Sequence, residues 1–160
     1  ICRIPGEKHL IVLLNNTGRV GLGAIATSIL GILNDKPFAP PKKSLADELF
    51  ATMKEKGIAV GLESYREMRG RRPDEFSFVE SEMNIIGYEF LNLKRVDEAI
   101  AVLKLNVEEF PKSSNVYDSL GEAYMMKGEK DLAIKNYETS LELDPRNTNA
   151  VDKLKILKGK

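Results

Sequence analysis

Side chains suited to catalysis or metal binding are scarce in this chain of 160 residues, which has one histidine, His9, and one cysteine, Cys2. A metal centre or a nucleophile–base pair needs several convergent groups of these types. One of each rules out a disulfide framework and a Cys-rich zinc site, and leaves any His-centred triad a single candidate. His9 borders the apolar run Leu10–Leu14 and reads as a surface or sheet-end histidine; Cys2 reads as a small sheet residue. Gly18, Gly21 and Gly23 suggest a phosphate cradle, but their order after a strand matches neither the dinucleotide nor the nucleoside-triphosphate fingerprint. Arg66, Arg69, Arg71 and Arg72 could meet a phosphate or an acidic partner, yet cations at a helix end already have a role in complementing the helix dipole. No cofactor or metal is expected.

With 42% hydrophobic and 30% charged residues, the chain can bury an ordinary core. Its 24 basic and 24 acidic residues give no net charge, which argues against wholesale nucleic-acid binding. That zero is a sum of unlike parts: residues 1–41 carry four basic and two acidic groups, 42–73 eight and five, 74–113 four and nine, and 114–160 eight and eight. The longest nearly apolar run, Leu22–Leu33, is a dozen residues, short of the roughly 20 needed to cross a bilayer, so no membrane span is expected. The Ile1-Cys2-Arg3 start reads as a piece cut from a longer protein.

The chain changes character at Pro37, Pro40 and Pro41, where Asp35–Pro41 cannot continue a helix and favours an extended linker. Before it, Ile1–Ile4 and His9–Leu14 are β-type runs around the turn residues Pro5-Gly6-Glu7-Lys8, and Leu22–Leu33 is an apolar helix. After it, everything reads as helix. Ser44 and Asp47 make a capping-box-like start, Leu45, Leu49 and Met53 form one stripe, and Gly57 separates a second helix carrying Ile58, Leu62 and Tyr65 to about Met68.

Shifting the remainder against itself by 34 residues aligns Ile86 with Leu120, Gly87 with Gly121, Phe90 with Tyr124, Asp97 with Asp131 and Ala99-Ile100 with Ala133-Ile134. The same shift aligns Leu103 with Tyr137 and Pro111 with Pro145. The mid-helix glycines need a packing reason, because glycine there costs about 1 kcal/mol relative to alanine. Ala99 and Ala133 are expected to face them, with Phe90, Leu103, Tyr124 and Tyr137 filling the space between helices and the prolines ending each unit. The period and residue classes resemble the tetratricopeptide repeat. The fold class that follows is mostly α, a superhelix of helical hairpins: residues 44–79 as a degenerate pair with Gly61 as its small residue, 80–113 and 114–147 as two full repeats, and 148–160 as a capping helix.

In that family the first helix of each unit lines a concave groove, which implies a peptide-binding surface at Asn84, Tyr88 and Leu91 in one unit and Asp118, Glu122 and Met125 in the next. Members that clamp a C-terminal carboxylate carry Lys, Arg and Asn at such positions. Asp118 and Glu122 stand here instead, so an apolar or basic segment is the expected occupant.

The string Ile4–Asn16, followed by an apolar helix and Asp35-Lys36-Pro37-Phe38, resembles the C-terminal end of the serine β-lactamase and penicillin-binding-protein family. Residues 1–36 would then be the last strands and helix of such a domain, and 37–43 the linker. The resemblance implies a bacterial, extracytoplasmic setting and a parent that is a penicillin-recognising hydrolase or esterase. The catalytic set does not carry over: there is no Ser-x-x-Lys, no Lys-Thr-Gly and no Tyr-x-Asn. Ser64, Ser77 and Ser119 are each followed three residues on by Glu and read as caps or exposed helix positions, as does Ser113-Ser114-Asn115. The chain is therefore read as a non-enzymatic interaction module whose partner is a protein or peptide, its own hydrolase domain included. An uncovered hairpin makes a homo-oligomer a further expectation.

Overall fold

The computed structural model describes residues 2–4, 9–11, 22–37 and 42–159. β1 (Cys2–Ile4) and β2 (His9–Ile11) pair antiparallel, Cys2 opposite Ile11 and Ile4 opposite His9. α1 (Leu22–Leu33) follows, over the residues expected for it, and ends with Asn34 Nδ2 donating to the Leu30 carbonyl at 2.9 Å. The expected turn at Pro5–Lys8, the continuation of the strand to Leu14, Gly18, Gly21 and the segment Phe38–Pro41 lie outside the described residues.

From Lys42 onward the chain forms antiparallel helix pairs: α2 (Leu45–Lys56) with α3 (Ile58–Arg71), α4 (Glu80–Asn92) with α5 (Val96–Glu109), and α6 (Ser114–Lys127) with α7 (Lys130–Leu143). The last helix, α8 (Thr148–Lys158), packs on α7. First helices stack on first helices, α2 on α4 and α4 on α6, while α3 meets α5 and α5 also meets α6. Each helix buries one stripe at helical spacing, such as Leu45, Leu49 and Met53 on α2 or Met83, Ile86 and Phe90 on α4. A single core, from Leu45 to Ala150, therefore runs through the stack.

The mid-helix glycines sit where two helices come closest, but their neighbours differ from those expected. A methyl at Gly87 would lie 2.6 Å from Leu103 Cδ2 and 2.7 Å from its Cγ; one at Gly121 would lie 3.1 Å from the Tyr137 ring. The large residues of α5 and α7, not Ala99 and Ala133, fill the space the glycines vacate. Leu103 and Tyr137 stand one turn beyond those alanines on the same face, which carries their side chains over the glycine. In the first pair the roles are exchanged: Gly61 is on the second helix, α3, and its close neighbour Met53 is on the first, α2. Ala99 and Ala133 are themselves fully buried, so their small size serves the same pairs.

The turns repeat with the helices. Gly128, at φ 85°, ends α6 in a left-handed cap in which Gly128 N–H donates to the Met125 carbonyl and Glu129 N–H to that of Tyr124. Thirty-four residues earlier Lys94, at φ 62°, makes the same pair of bonds to Leu91 and, through Arg95, to Phe90.

Four further expectations are corrected. Ser44 precedes α2, but its hydroxyl does not cap that helix. Instead Glu82 of α4 reaches across, its Oε2 accepting from Ser44 Oγ and from Ala46 N–H, both at 2.8 Å. Ser113 likewise precedes α6 without a side-chain cap, and Asn115 Nδ2 donates to Glu80 Oε1 at 2.6 Å. Ser119 is neither a cap nor exposed; it lies in mid-helix and is 1% exposed. The stretch after the prolines is not all helix: β3 (Lys43–Ser44) and β4 (Phe76–Ser77) form a short parallel ladder, too brief to print a period of two on the sequence. Phe76 is fully buried there beneath the Arg72 guanidinium, which itself grips Glu75 through two hydrogen bonds of 3.1 and 2.7 Å.

Gly87→Ala sets overpacking against Leu103, about 1–3 kcal/mol, against a gain of about 1 kcal/mol in helix propensity. The expected result in urea unfolding is a loss of about 1–2 kcal/mol for Gly87→Ala, and near neutrality for Gly121→Ala. A stabilised Gly87→Ala chain would show that the approach of α5 does not require the glycine.

Candidate functional site

α4 and α6 lie side by side, so residues 34 apart on them become neighbours, and the face they share is closed by hydrogen bonds between repeats. Tyr88 of α4 donates its hydroxyl proton to Glu122 Oε2 of α6 at 2.8 Å. Ser119, buried one turn before Glu122, also bonds Tyr88. One turn earlier on α6, Asp118 is 9% exposed and accepts from two amides, Asn147 Nδ2 at 2.9 Å and Asn149 Nδ2 at 2.8 Å. Asn147 is also the N-cap of α8, its Oδ1 accepting from Ala150 N–H, and its Nδ2 bonds Ser140 Oγ at 2.8 Å. The preceding repeat repeats the arrangement with other side chains: Asn106 Nδ2 donates to Asn84 Oδ1 and to the Glu80 carbonyl, both at 3.1 Å.

Of the six residues expected to line the groove, Tyr88, Asp118 and Glu122 come together in one cluster, and Asn84, one turn before Tyr88 on α4, is bonded to Asn106. Leu91 is 3% exposed and belongs to the core, so it offers a partner almost no surface. Met125 is half-buried against the core, while its neighbour Met126 is exposed. Ser119, Tyr137, Asn147 and Asn149 complete the cluster and were not singled out for it. The spacing of 34 between Asn115 and Asn149 was a usable signal, since each bonds a carboxylate on the preceding first helix.

The electrostatics of this face differ from those of the rest of the surface. Glu63, Glu67, Glu75, Asp97, Glu98, Glu109 and Glu138 each pair with a Lys or Arg. Glu80, Glu82, Asp118 and Glu122 are instead held by neutral amides and hydroxyls, and among the described residues none of them has an ion-pair partner. The arginine patch of the sequence is consumed internally, Arg66 on Glu63, Arg69 on Glu109, Arg71 on Glu67 and Arg72 on Glu75. Burial above all pushes the Tyr88 hydroxyl up to about 12; Glu122 and Asp118 add to the rise and the Ser119 hydrogen bond opposes it. Tyr88 therefore remains a proton donor to Glu122 across the neutral range.

Beneath the cluster lies Tyr137 of α7, fully buried, its hydroxyl without a hydrogen-bond partner. Burial, then the nearby Asp118, Glu122 and Tyr88, drive that hydroxyl far above the usual tyrosine range. A buried hydroxyl left unpaired costs about 1–3 kcal/mol. Tyr137→Phe, which keeps the ring against Gly121, is expected to stabilise the chain by about 1 kcal/mol, read as a higher urea midpoint at unchanged slope. A loss of stability would mean that the hydroxyl has a partner in solution.

The family model described as the tetratricopeptide repeat matches residues 114–147, the α6–α7 pair. No curated protein matches the chain. Among solved structures, the chain is similar to the first TPR of Spaghetti (RPAP3) bound to the HSP90 peptide SRMEEVD. The TM-score is 0.52 and the identity 20%, over 74% of this chain and 94% of that one. It is similar to the first TPR domain of human RPAP3, with TM-score 0.52 and 20% identity over 72% and 87% of the two chains. The second TPR domain of human RPAP3, in complex with the HSP70 peptide SGPTIEEVD, gives TM-score 0.52 and 22% identity over 73% and 94%. Identities this low carry the fold and not the ligand. Residues 114–147 are thus a tetratricopeptide repeat, and the helical part of the chain has the fold of a TPR domain.

Proposed function

We propose that this chain is a protein-interaction module that binds a peptide or helix on the face shared by α4 and α6. The observation that carries this reading is the row of carboxylates on that face, Glu80, Asp118 and Glu122, held by neutral donors and unpaired with any cation among the described residues. Exposed Met126, one turn from Glu122, adds an adaptable apolar contact. Two of the similar domains hold peptides ending in EEVD. Such an acidic end would meet like charge at Asp118 and Glu122, so an apolar or basic segment suits this face better. The occupant is a separate protein or a segment of the parent's own hydrolase domain.

Binding of fluorescein-labelled peptides followed by anisotropy tests the reading. Uncharged or basic amphipathic peptides should bind, SRMEEVD should not, and Tyr88→Ala with Met126→Ala should weaken binding about tenfold. Capture of SRMEEVD in preference to the others, or binding that ignores both substitutions, would place the surface elsewhere.

Residues 1–36 support a second, wider reading. Antiparallel β1 and β2 followed by the apolar helix α1 are the order in which the serine β-lactamase and penicillin-binding-protein family ends. The module would then sit at the C-terminus of a penicillin-recognising hydrolase or esterase in an extracytoplasmic bacterial setting, itself contributing no nucleophile. A fluorescent penicillin should leave this chain unlabelled; acylation of any of its serines would overturn that assignment.

A further inference from the structure

The cluster on α6 is chemically incomplete in a way that names what should enter it. Asp118 and Glu122 are one turn apart on the same helical face, so their charges add. Their partners, the Asn147 and Asn149 amides and the Tyr88 hydroxyl, satisfy hydrogen bonds without cancelling charge. Tyr137 supplies a second, independent sign of vacancy in the bonding: a fully buried hydroxyl, set among Tyr88, Asp118 and Glu122, that neither gives nor receives a hydrogen bond. Glu109, Glu98, Asp97 and Glu138 are each neutralised by a lysine or arginine, whereas Asp118 and Glu122 are held by neutral donors alone.

Resting on the reading of this face as a peptide-binding surface, we infer that Asp118, Glu122, Tyr88 and Tyr137 form a receptor for one lysine side chain of the bound peptide. The chemistry fits an ammonium, which has three N–H donors and no acceptor. A carboxylate keeps further lone pairs after accepting one bond, and the Tyr137 oxygen is an acceptor with none of its capacity used. The acceptors belong to three separate side chains on two helices, Asp118 and Glu122 on α6 and Tyr137 on α7, rather than to one carboxylate offering a fork, which favours a compact ammonium over a guanidinium. Met125 and Met126 follow Glu122 by three and four residues and give the four-carbon stem of the lysine an apolar bed. A metal ion is the poorer occupant, because no group of three His, Cys, Asp or Glu side chains suited to one exists among the described residues. The entering ammonium takes the place of the Tyr88 hydroxyl on Glu122 and so opens the way to Tyr137.

Two pools of fluorescein-labelled decapeptides test the inference on the whole chain, one with a fixed central lysine among randomised uncharged residues, the other with acetyllysine at that position. The lysine pool should bind about tenfold more tightly, a preference that shrinks in high salt. Glu122→Gln, whose amide oxygen can still accept from Tyr88, should abolish most of it with the circular-dichroism melt unchanged, and Asp118→Asn should do so with a lower melt, because its new NH2 group faces a donor amide of Asn147 or Asn149. Tyr137→Phe should narrow the preference while raising stability, a combination that a purely structural tyrosine does not give. Equal binding of the two pools, or a lysine preference that survives both carboxylate substitutions, overturns the lysine receptor and leaves peptide binding intact. Failure to bind either pool overturns the peptide-binding reading with it.

Discussion

A large side chain can fit between two paired helices only where the residue facing it has no Cβ, and in each full repeat that place is the glycine of the first helix. Leu103 lies over Gly87 and the Tyr137 ring over Gly121. Burying a side chain of that size contributes roughly 1.5–3 kcal/mol, and it is realised only if the facing residue has no Cβ. The direction of this insertion matters for function as well as stability. Because the large residues of α5 and α7 point into the pair, the cores of the pairs close on that side. The adjoining face of α4 and α6 carries polar groups, which bond from one repeat to the next. The same geometry that makes the stack therefore produces a continuous polar face with regularly spaced side chains.

Charge is partitioned across the two sides of that stack. Lys42, Lys43 and the four arginines from Arg66 to Arg72 are spent on intramolecular pairs, and two of these reach well along the chain, Arg69 to Glu109 and Arg72 to Glu48. Exposed pairs of this kind are each worth little. Among the described residues the first-helix carboxylates Glu80, Glu82, Asp118 and Glu122 take no part in these pairs and are held by neutral donors instead. A net charge of zero thus coexists with a local negative field on one face, which is the arrangement that steers and selects a charged partner.

The stacked pairs were legible in the sequence because a repeat compares the chain with itself: Gly87 with Gly121 and Phe90 with Tyr124 need no three-dimensional information. What was misread depends on contacts between helices. Which residue of α5 covers Gly87 is set by the geometry of the intervening turn, so Ala99 was as plausible as Leu103 from spacing alone. Glu82 as the cap of α2 joins residues 36 and 38 apart, and no local pattern announces it. Ser119 with Glu122 has the spacing of a capping box but lies in mid-helix, where the same spacing puts both on the face toward Tyr88. Leu91 falls on the groove register yet is buried, because the left-handed turn at Lys94 folds the chain back over the end of α4. The cluster itself was half legible: its carboxylates by position, its buried tyrosine and amides only once α7 and α8 were in place.

Chemical-shift mapping of the nitrogen-15-labelled chain, titrated with a lysine-bearing amphipathic peptide, locates the binding surface residue by residue. The stacked-repeat geometry places the largest amide shifts at Tyr88, Ser119, Glu122 and Met126, with Lys104 and Lys135 on the second helices unmoved. Shifts concentrated on α5 and α7, or in the groove between Arg69 and Phe78, would contradict the assignment of binding to the α4 and α6 face.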